Sequence, residues 1–166
     1  MSISSFFVIR SMRKLIFISC LVGFLLTIMS LDSTYFFWVP DFLLMVLFFW
    51  LLHQPASIQL GIVFLLGLAV DFCTNTSLGL HALGYVCAGF VILARRNRIR
   101  VFHFGIQSVI IVLALLLAQI VMAIVWSYQT HQWVSWRFFI SPLLAILIWP
   151  VLNKIIMSVP AFKHQL

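Results

Sequence analysis

The fold is decided by residues 61–90, which read GIVFLLGLAVDFCTNTSLGLHALGYVCAGF. This stretch holds five of the seven glycines in the chain, and it holds one acid, Asp71, inside an apolar run. Two apolar arms, at about 58–73 and 78–94, flank a short polar turn at 74–77. In lipid, helices associate through small residues that let backbones approach, and through a few polar groups. The stretch therefore predicts two packed helices at the centre of a membrane protein.

The composition of the whole chain points the same way. Of 166 residues, 64% are hydrophobic and only 8% are charged, whereas about a quarter of a typical soluble domain is charged. We therefore expect one all-α domain, a polytopic helix bundle in the membrane. The net charge of +7 does not indicate a nucleic-acid partner, because the basic residues lie between apolar spans.

Hydropathy predicts six spans, at about 15–31, 36–52, 58–73, 78–94, 101–128 and 138–157. The second is ambiguous, because helix from Phe42 to Leu52 would reach only about 16 Å, against roughly 30 Å of hydrocarbon. Either this span begins near Phe36 and kinks at Pro40, or spans 2 and 3 form a re-entrant hairpin. We expect the first span to be an uncleaved helix rather than a signal peptide, because it is long and no cleavage-site pattern follows it.

The basic residues predict the orientation. With both termini in the cytoplasm, nine of the ten Lys and Arg residues fall on the cytoplasmic side, and only Arg137 falls outside. The densest group is a predicted loop after span 4 that contains Arg95, Arg96, Arg98 and Arg100. This loop is interpreted as a topology determinant, and contact with anionic lipid or an acidic partner is compatible with that role. Tryptophans 38, 126, 133 and 136 would then form an aromatic belt at the outer interface.

The sequence offers little for catalysis or for metal binding. It contains no glutamate, and its only acids are Asp32, Asp41 and Asp71. Of these, Asp71 is placed within a predicted span, near its outer end, and the other two at the outer edge. Aspartyl chemistry needs two carboxylates that share a site, and the H-E-x-x-H metalloprotease motif needs a glutamate. The five histidines lack ligand spacing, and the three cysteines are interpreted as free thiols. We expect no enzyme, no cofactor and no metal.

Two features of the sequence each allow two interpretations. Asp71 is a functional candidate because a carboxylate inside a membrane is costly. It could instead bind the 74–77 turn or cap the next helix near Ser77 and Leu78. Similarly, Gly79, Gly84 and Gly89, together with Ala88, form a small-residue face for internal packing or for a partner's helix.

The motif residues resemble a known family. Gly61, Gly67 and Asp71, followed by Thr76-Ser-Leu-Gly-Leu-His-Ala-Leu83, are similar to the signature of the bacterial rod shape-determining protein MreD. The proline of Pro40-Asp41 at the start of span 2, Trp149-Pro150 in the last span and the arginine-rich segment also fit. The resemblance covers about 36–157, and its matching motif positions are Gly67, Asp71, Leu78 and Gly79. Val39 departs from it, since many members have arginine before the proline.

This resemblance implies a non-catalytic scaffold of the cell-elongation machinery in the bacterial inner membrane. The machinery contains MreC, the actin-like MreB, the glycosyltransferase RodA and a class B penicillin-binding transpeptidase. The implied function is to bind MreC and help to regulate cell shape and lateral peptidoglycan synthesis. The resemblance also implies six helices like those of the substrate-binding subunits of vitamin-uptake transporters. The alternative is therefore a small-solute binding or transport subunit, with Asp71 and the 74–76 turn beside a cavity.

Overall fold

The computed structural model describes residues 3–31, 40–54 and 57–159, and in these residues it contains helices and no strand. The predicted all-α bundle is confirmed. The elements are α1 (Ile3–Leu31), α2 (Phe42–His53), α3 (Leu60–Cys73), α4 (Leu80–Ile99), α5 (Phe104–Thr130), a 3₁₀ helix (Trp136–Ile140) and α6 (Ser141–Ser158).

Consecutive helices run in alternating directions, which sorts the charges to two ends of the bundle. Asp41 precedes α2, and Asp71 lies in the last turn of α3. Both lie at one end, here called the carboxylate end. The start of α1, the end of α4 and the end of α6 lie at the opposite, basic end, with Arg13, Lys14, the 95–100 arginines and Lys154. The charge segregation expected from the sequence is therefore present, and the side that faces the cytoplasm stays a prediction.

Among the described residues, three helical segments are long and apolar enough to cross a bilayer, in the ranges Ser11–Ser30, Gly105–Thr130 and Phe138–Ser158. By contrast, α2 has 12 residues and α3 has 14, which correspond to about 18 and 21 Å of helix. The sequence predicted that these two spans could be short. The upstream start of span 2 near Phe36 falls outside the described residues.

The short helix α2 forms the core of the bundle. Every residue from Leu43 to Leu52 is buried, and α2 packs against α1, α4, α5 and α6. A helix too short to cross lipid is tolerated here because protein, not lipid, surrounds its ends. α3 packs mainly on α4 rather than on α2, and the choice between two full crossings and a re-entrant hairpin stays a prediction.

Two helix boundaries differ from the hydropathy prediction, for one physical reason. α1 begins at Ile3 and its 29 residues reach about 44 Å, longer than the hydrocarbon. α4 continues to Ile99, so the arginines from Arg95 to Arg98 lie in its last turns instead of a loop. Helices can continue beyond lipid where polar side chains meet water, and cations are favourable at a helix C-terminus. Hydropathy finds the apolar part of a helix and misses this polar extension.

Candidate functional site

The centre of the candidate site is the carboxylate of Asp71, which is fully buried. Its Oδ1 accepts hydrogen bonds from the His81 backbone amide at 2.9 Å, from His81 Nδ1 at 2.7 Å and from the Thr76 hydroxyl at 3.2 Å. Its Oδ2 accepts from the Gly79 amide at 2.9 Å and from the Ala82 amide at 3.4 Å. One side chain from α3 thus satisfies the first amides of α4.

This arrangement is a helix cap supplied from another helix. The first N–H groups of an α-helix have no partner inside the helix, and a nearby carboxylate satisfies them and complements the helix dipole. The residue at the N-cap of α4 is Gly79, which has no side chain to do this. The contacts of Asp71 with the turn and with the next helix, which were one of its two interpretations, are therefore present, and a functional role for Asp71 stays a prediction. Its partners are Thr76 and the amides of Gly79, His81 and Ala82. The helix thus starts two residues later than the Ser77–Leu78 start expected from the sequence.

The turn between α3 and α4 needs backbone conformations that few residues adopt. Asn75 has φ of 51° and Gly79 has φ of 97°. Asparagine tolerates the left-handed region better than most residues, and glycine adopts it without steric cost. Thr74 closes the end of α3, where its hydroxyl donates to the Val70 carbonyl at 2.8 Å. Thr74 thus serves a local backbone need, whereas the Ser77 hydroxyl is buried without a partner within the described part of the chain.

Asp71 has no capacity left for a ligand. An ionised carboxylate offers about four lone-pair sites, and five protein donors already lie within 3.5 Å of them. A solute or a partner would have to displace one of these buried bonds. The arrangement therefore gives Asp71 an architectural role.

Gly67 lets α3 and α4 approach at this junction. A Cβ atom added to Gly67 would lie 2.5 Å from the Cα of Ala82 and 2.8 Å from its backbone nitrogen. Neither atom can move aside without moving α4. By contrast, a Cβ at Gly61 would meet nothing within 4 Å. Of these two motif glycines on α3, only Gly67 is required by close helix contact.

The glycine face of α4 also packs inside the bundle. Gly84 approaches the Ala118 carbonyl and the Met122 side chain of α5, and Gly89 approaches Leu51 of α2. Ala88 is fully buried. The described contacts therefore favour the internal-packing interpretation of this face over docking of a partner's helix.

A second polar cluster surrounds Asp41 at the same end of the bundle. Asp41 caps its own helix by accepting from the Leu44 amide at 3.0 Å. It also accepts from the Thr27 hydroxyl of α1 at 3.3 Å and from the Tyr85 hydroxyl of α4. Thr27 accepts in turn from the Leu43 amide at 3.0 Å. Asp41 therefore ties three helices together.

The Asp41 cluster was missed in the sequence, where Asp41 was placed only at the edge of span 2. The local signal was present, because an aspartate directly after Pro40 and before an apolar run is an N-cap pattern. Thr27 and Tyr85 carried no such signal, since they are distant in sequence. Tyr85 follows His81 by one helical turn, and their rings meet edge to face with centroids 6.0 Å apart. This contact links the Asp41 and Asp71 clusters along α4.

The remaining motif positions divide between core and surface. Pro40 and Trp149 are buried, and Pro150 is half-buried within α6. Leu78 differs from these three residues, because its relative solvent exposure is 73%. The 95–100 arginines are exposed apart from Arg96, which is half-buried. Among the described residues, no group of three or more His, Cys, Asp or Glu side chains is arranged to hold a metal ion.

The sequence profile of the family described as rod shape-determining protein MreD matches residues 8–159. The chain belongs to the MreD family. A similar curated protein is the rod shape-determining protein MreD of Haemophilus influenzae, which is 28% identical over 112 residues. That alignment covers 67% of this chain and 68% of the relative. No solved structure matches the chain. Membership of the MreD family connects this membrane bundle to the determination of rod shape, as the sequence motif predicted.

Proposed function

We propose that this protein is a non-catalytic scaffold of the cell-elongation machinery in the bacterial inner membrane. In this role it binds MreC, with both of its own termini in the cytoplasm. Through MreC it connects to MreB, RodA and a class B penicillin-binding transpeptidase, and so helps to regulate lateral peptidoglycan synthesis. The observation that carries the proposal is the family match over residues 8–159.

The use of polar groups in the bundle supports a scaffold role. Asp71 is saturated by protein donors, and Asp41 accepts from three neighbouring groups. Each carboxylate has its own donors, so the two do not form a proton-sharing catalytic pair. Groups that hold helices together leave binding to the outer surface of the bundle.

Leu78 is the motif position best placed to contact a partner. Its side chain is 73% exposed beside the left-handed Gly79, at a turn held rigidly by Asp71. Phe72, near the end of α3, is 78% exposed at the same end of the bundle. A fixed apolar side chain on a rigid turn costs little entropy when it binds. In this proposal MreC contacts the surface around Leu78.

Depletion of the protein, followed by phase microscopy over several generations, tests the cellular role. The proposal predicts that rods widen and become round, and that wild-type protein supplied in trans restores them. Cells that keep normal shape and normal wall labelling after depletion would contradict it.

Capture of MreC with affinity-tagged protein tests the contact surface. Leu78→Ala should reduce the MreC captured per folded molecule, because it removes an exposed apolar contact. The matched control is Leu83→Ala, in which a partly exposed leucine of α4 is truncated. Equal capture by both variants and wild type would remove Leu78 from the interface.

The small-solute alternative receives less support from the geometry. It required Asp71 and the 74–76 turn to face a ligand, and the Asp71 carboxylate instead faces α4 donors. A melting-temperature screen with vitamins and lipid precursors checks this alternative. A ligand that binds the folded state at 100 times its Kd should stabilise it by about 2.7 kcal/mol. If a ligand stabilised the wild type in this way and Thr76→Val abolished the effect, the result would support a solute site at the turn.

A further inference from the structure

A groove runs between α1 and α3 on the outside of the bundle, with a volume of about 400 Å³. Its walls are apolar. The apolar lining residues include Phe17, Leu21 and Phe24 on α1, and Ile62, Leu66 and Ala69 on α3. Arg13 and Ser57, both exposed, line the groove at the basic end of the bundle. The groove is thus apolar along its length and polar at one mouth.

The groove stays open because its two walls pack on different neighbours. α1 is fixed to α2, where the Trp50 indole donates to Ser19 at 2.8 Å and Gly23 lies close to the backbone of Leu43. α3 is fixed to α4 through Asp71 and Gly67. α1 and α3 contact each other only weakly. Neither wall can close without breaking one of these contacts.

The length of the groove matches one leaflet of a bilayer. From Arg13 to Phe24, α1 rises about 16 Å at 1.5 Å per residue. Half of a hydrocarbon core of roughly 30 Å is about 15 Å. The mouth at Arg13 then lies at the level of lipid head groups, and the groove ends at Phe24 and Ala69, within one helical turn of the Asp41 and Asp71 clusters. A lipid of that leaflet would have its acyl chain beside the apolar walls.

The chemistry of the groove lining favours a lipid over a partner's helix. The walls are apolar from Phe17 to Phe24 on α1, and the charged lining residue Arg13 lies at the mouth. A lipid supplies both complements, an acyl chain for the walls and an anionic head group for Arg13.

We propose that this groove binds an anionic phospholipid of the leaflet at the basic end. The acyl chain lies between α1 and α3, and the phosphate of the head group is held by the Arg13 guanidinium and the Ser57 hydroxyl. Charge complementarity supports an anionic head group, since Lys14 and the α4 arginines surround the same end with positive charge.

The test uses the full-length protein in neutral detergent, with melting temperature and native mass spectrometry as readouts. Dioleoyl phosphatidylglycerol should stabilise the wild type more than dioleoyl phosphatidylcholine does. Arg13→Gln should weaken phosphatidylglycerol binding roughly fivefold and remove the preference between the two lipids. The matched control is Lys14→Gln, at the exposed next residue outside the groove, which should keep the preference.

Two further measurements distinguish a bound lipid from other occupants of the groove. Ala69→Phe fills the groove and should reduce retention of both lipids. Equal losses in the Arg13 and Lys14 variants would contradict the proposal in favour of diffuse surface charge. Stabilisation by inorganic phosphate equal to that by phosphatidylglycerol would replace the lipid site with a phosphate site. A change of oligomeric state in Ala69→Phe, with lipid retention unchanged, would assign the groove to a second copy of the chain.

Discussion

The α3–α4 and α5–α6 junctions are both antiparallel helix contacts, but they use buried polar groups in different ways. At α3–α4, one carboxylate accepts from five donors, and a glycine brings the two backbones together. At α5–α6, the Gln119 side-chain amide donates to the Ser141 hydroxyl at 2.8 Å. Among the described residues, the Gln119 carbonyl oxygen is buried without a partner.

The unsatisfied groups continue along α6. Trp149 and Asn153 lie one helical turn apart and are buried, and the Trp149 indole nitrogen and both polar atoms of the Asn153 side chain lack partners within the described part of the chain. Buried polar groups without partners cost stability instead of adding to it. The comparison teaches that the family motif around Asp71 marks the junction that fixes the fold, while α6 is held mainly by apolar packing. Substitutions can test this difference, because the loss of a buried polar group should cost much more stability at the α3–α4 junction than on α5 or α6.

The largest effect is expected for Asp71→Leu. The amides of Gly79 and His81 and the Thr76 hydroxyl would lose their acceptor while staying buried. We expect a loss of at least about 3 kcal/mol in the free energy of unfolding. Unfolding by SDS in mixed micelles measures it. A loss of less than about 1 kcal/mol would mean that the α3–α4 junction is no more specific than α5–α6.

Gly67→Ala should cost about 1–3 kcal/mol, because the new methyl group meets the backbone of Ala82. Ala82→Gly should not rescue it, since the clashing atoms are the Cα and nitrogen of residue 82. The control is Gly61→Ala on the same helix, which has open space and should be neutral or gain up to about 1 kcal/mol from helix propensity. Melting temperatures of the three variants in one detergent are the measurement. Equal melting temperatures for Gly67→Ala and Gly61→Ala would show that the close approach is not needed.

Ser141→Ala tests the hydrogen bond between Gln119 and Ser141 at the α5–α6 junction. The Gln119 amide would lose its acceptor, and the expected cost is about 1 kcal/mol, well below that of Asp71→Leu. The same SDS unfolding assay applies. A loss in the free energy of unfolding equal to that of Asp71→Leu would show that the two junctions depend equally on their polar contacts.

The smallest effect is expected for Asn153→Leu. The substitution removes two unsatisfied polar groups and keeps the approximate shape, so the free energy of unfolding should change by less than about 0.5 kcal/mol or should rise. Thermal melting of the purified protein detects either result. A strong destabilisation would reveal a partner for Asn153, and it would end the contrast drawn with Asp71.

Much of this architecture could be predicted from sequence because its signals are local. The apolar runs, the glycines of 61–89 and the charge distribution predicted the bundle and the segregation of basic residues. Asp71 was found because a carboxylate in an apolar run is unusual, and one of its two interpretations was the observed cap. The short lengths of α2 and α3 were likewise visible as short hydrophobic runs.

The features that could not be predicted from the sequence depend on contacts between residues that are distant along the chain. Nothing near Thr27 or Tyr85 in the sequence indicates that both bond Asp41, because that pairing is created by the packing of α1, α2 and α4. The groove between α1 and α3 has no sequence signal either, since its walls look like any lipid-facing helix. The extension of α4 through Arg98 was missed because hydropathy reports lipid contact rather than helix continuity.

The central claim is that the buried Asp71 side chain holds the α3–α4 junction, and that partners bind through exposed side chains such as Leu78 instead of through Asp71 itself. The most direct test is the amount of MreC captured per folded molecule by Asp71→Asn, a variant that keeps the side-chain shape. We predict a lowered melting temperature together with the wild-type ratio of MreC to folded protein. An unchanged melting temperature with lost MreC capture would contradict the claim, because Asp71 would then act in the interface itself.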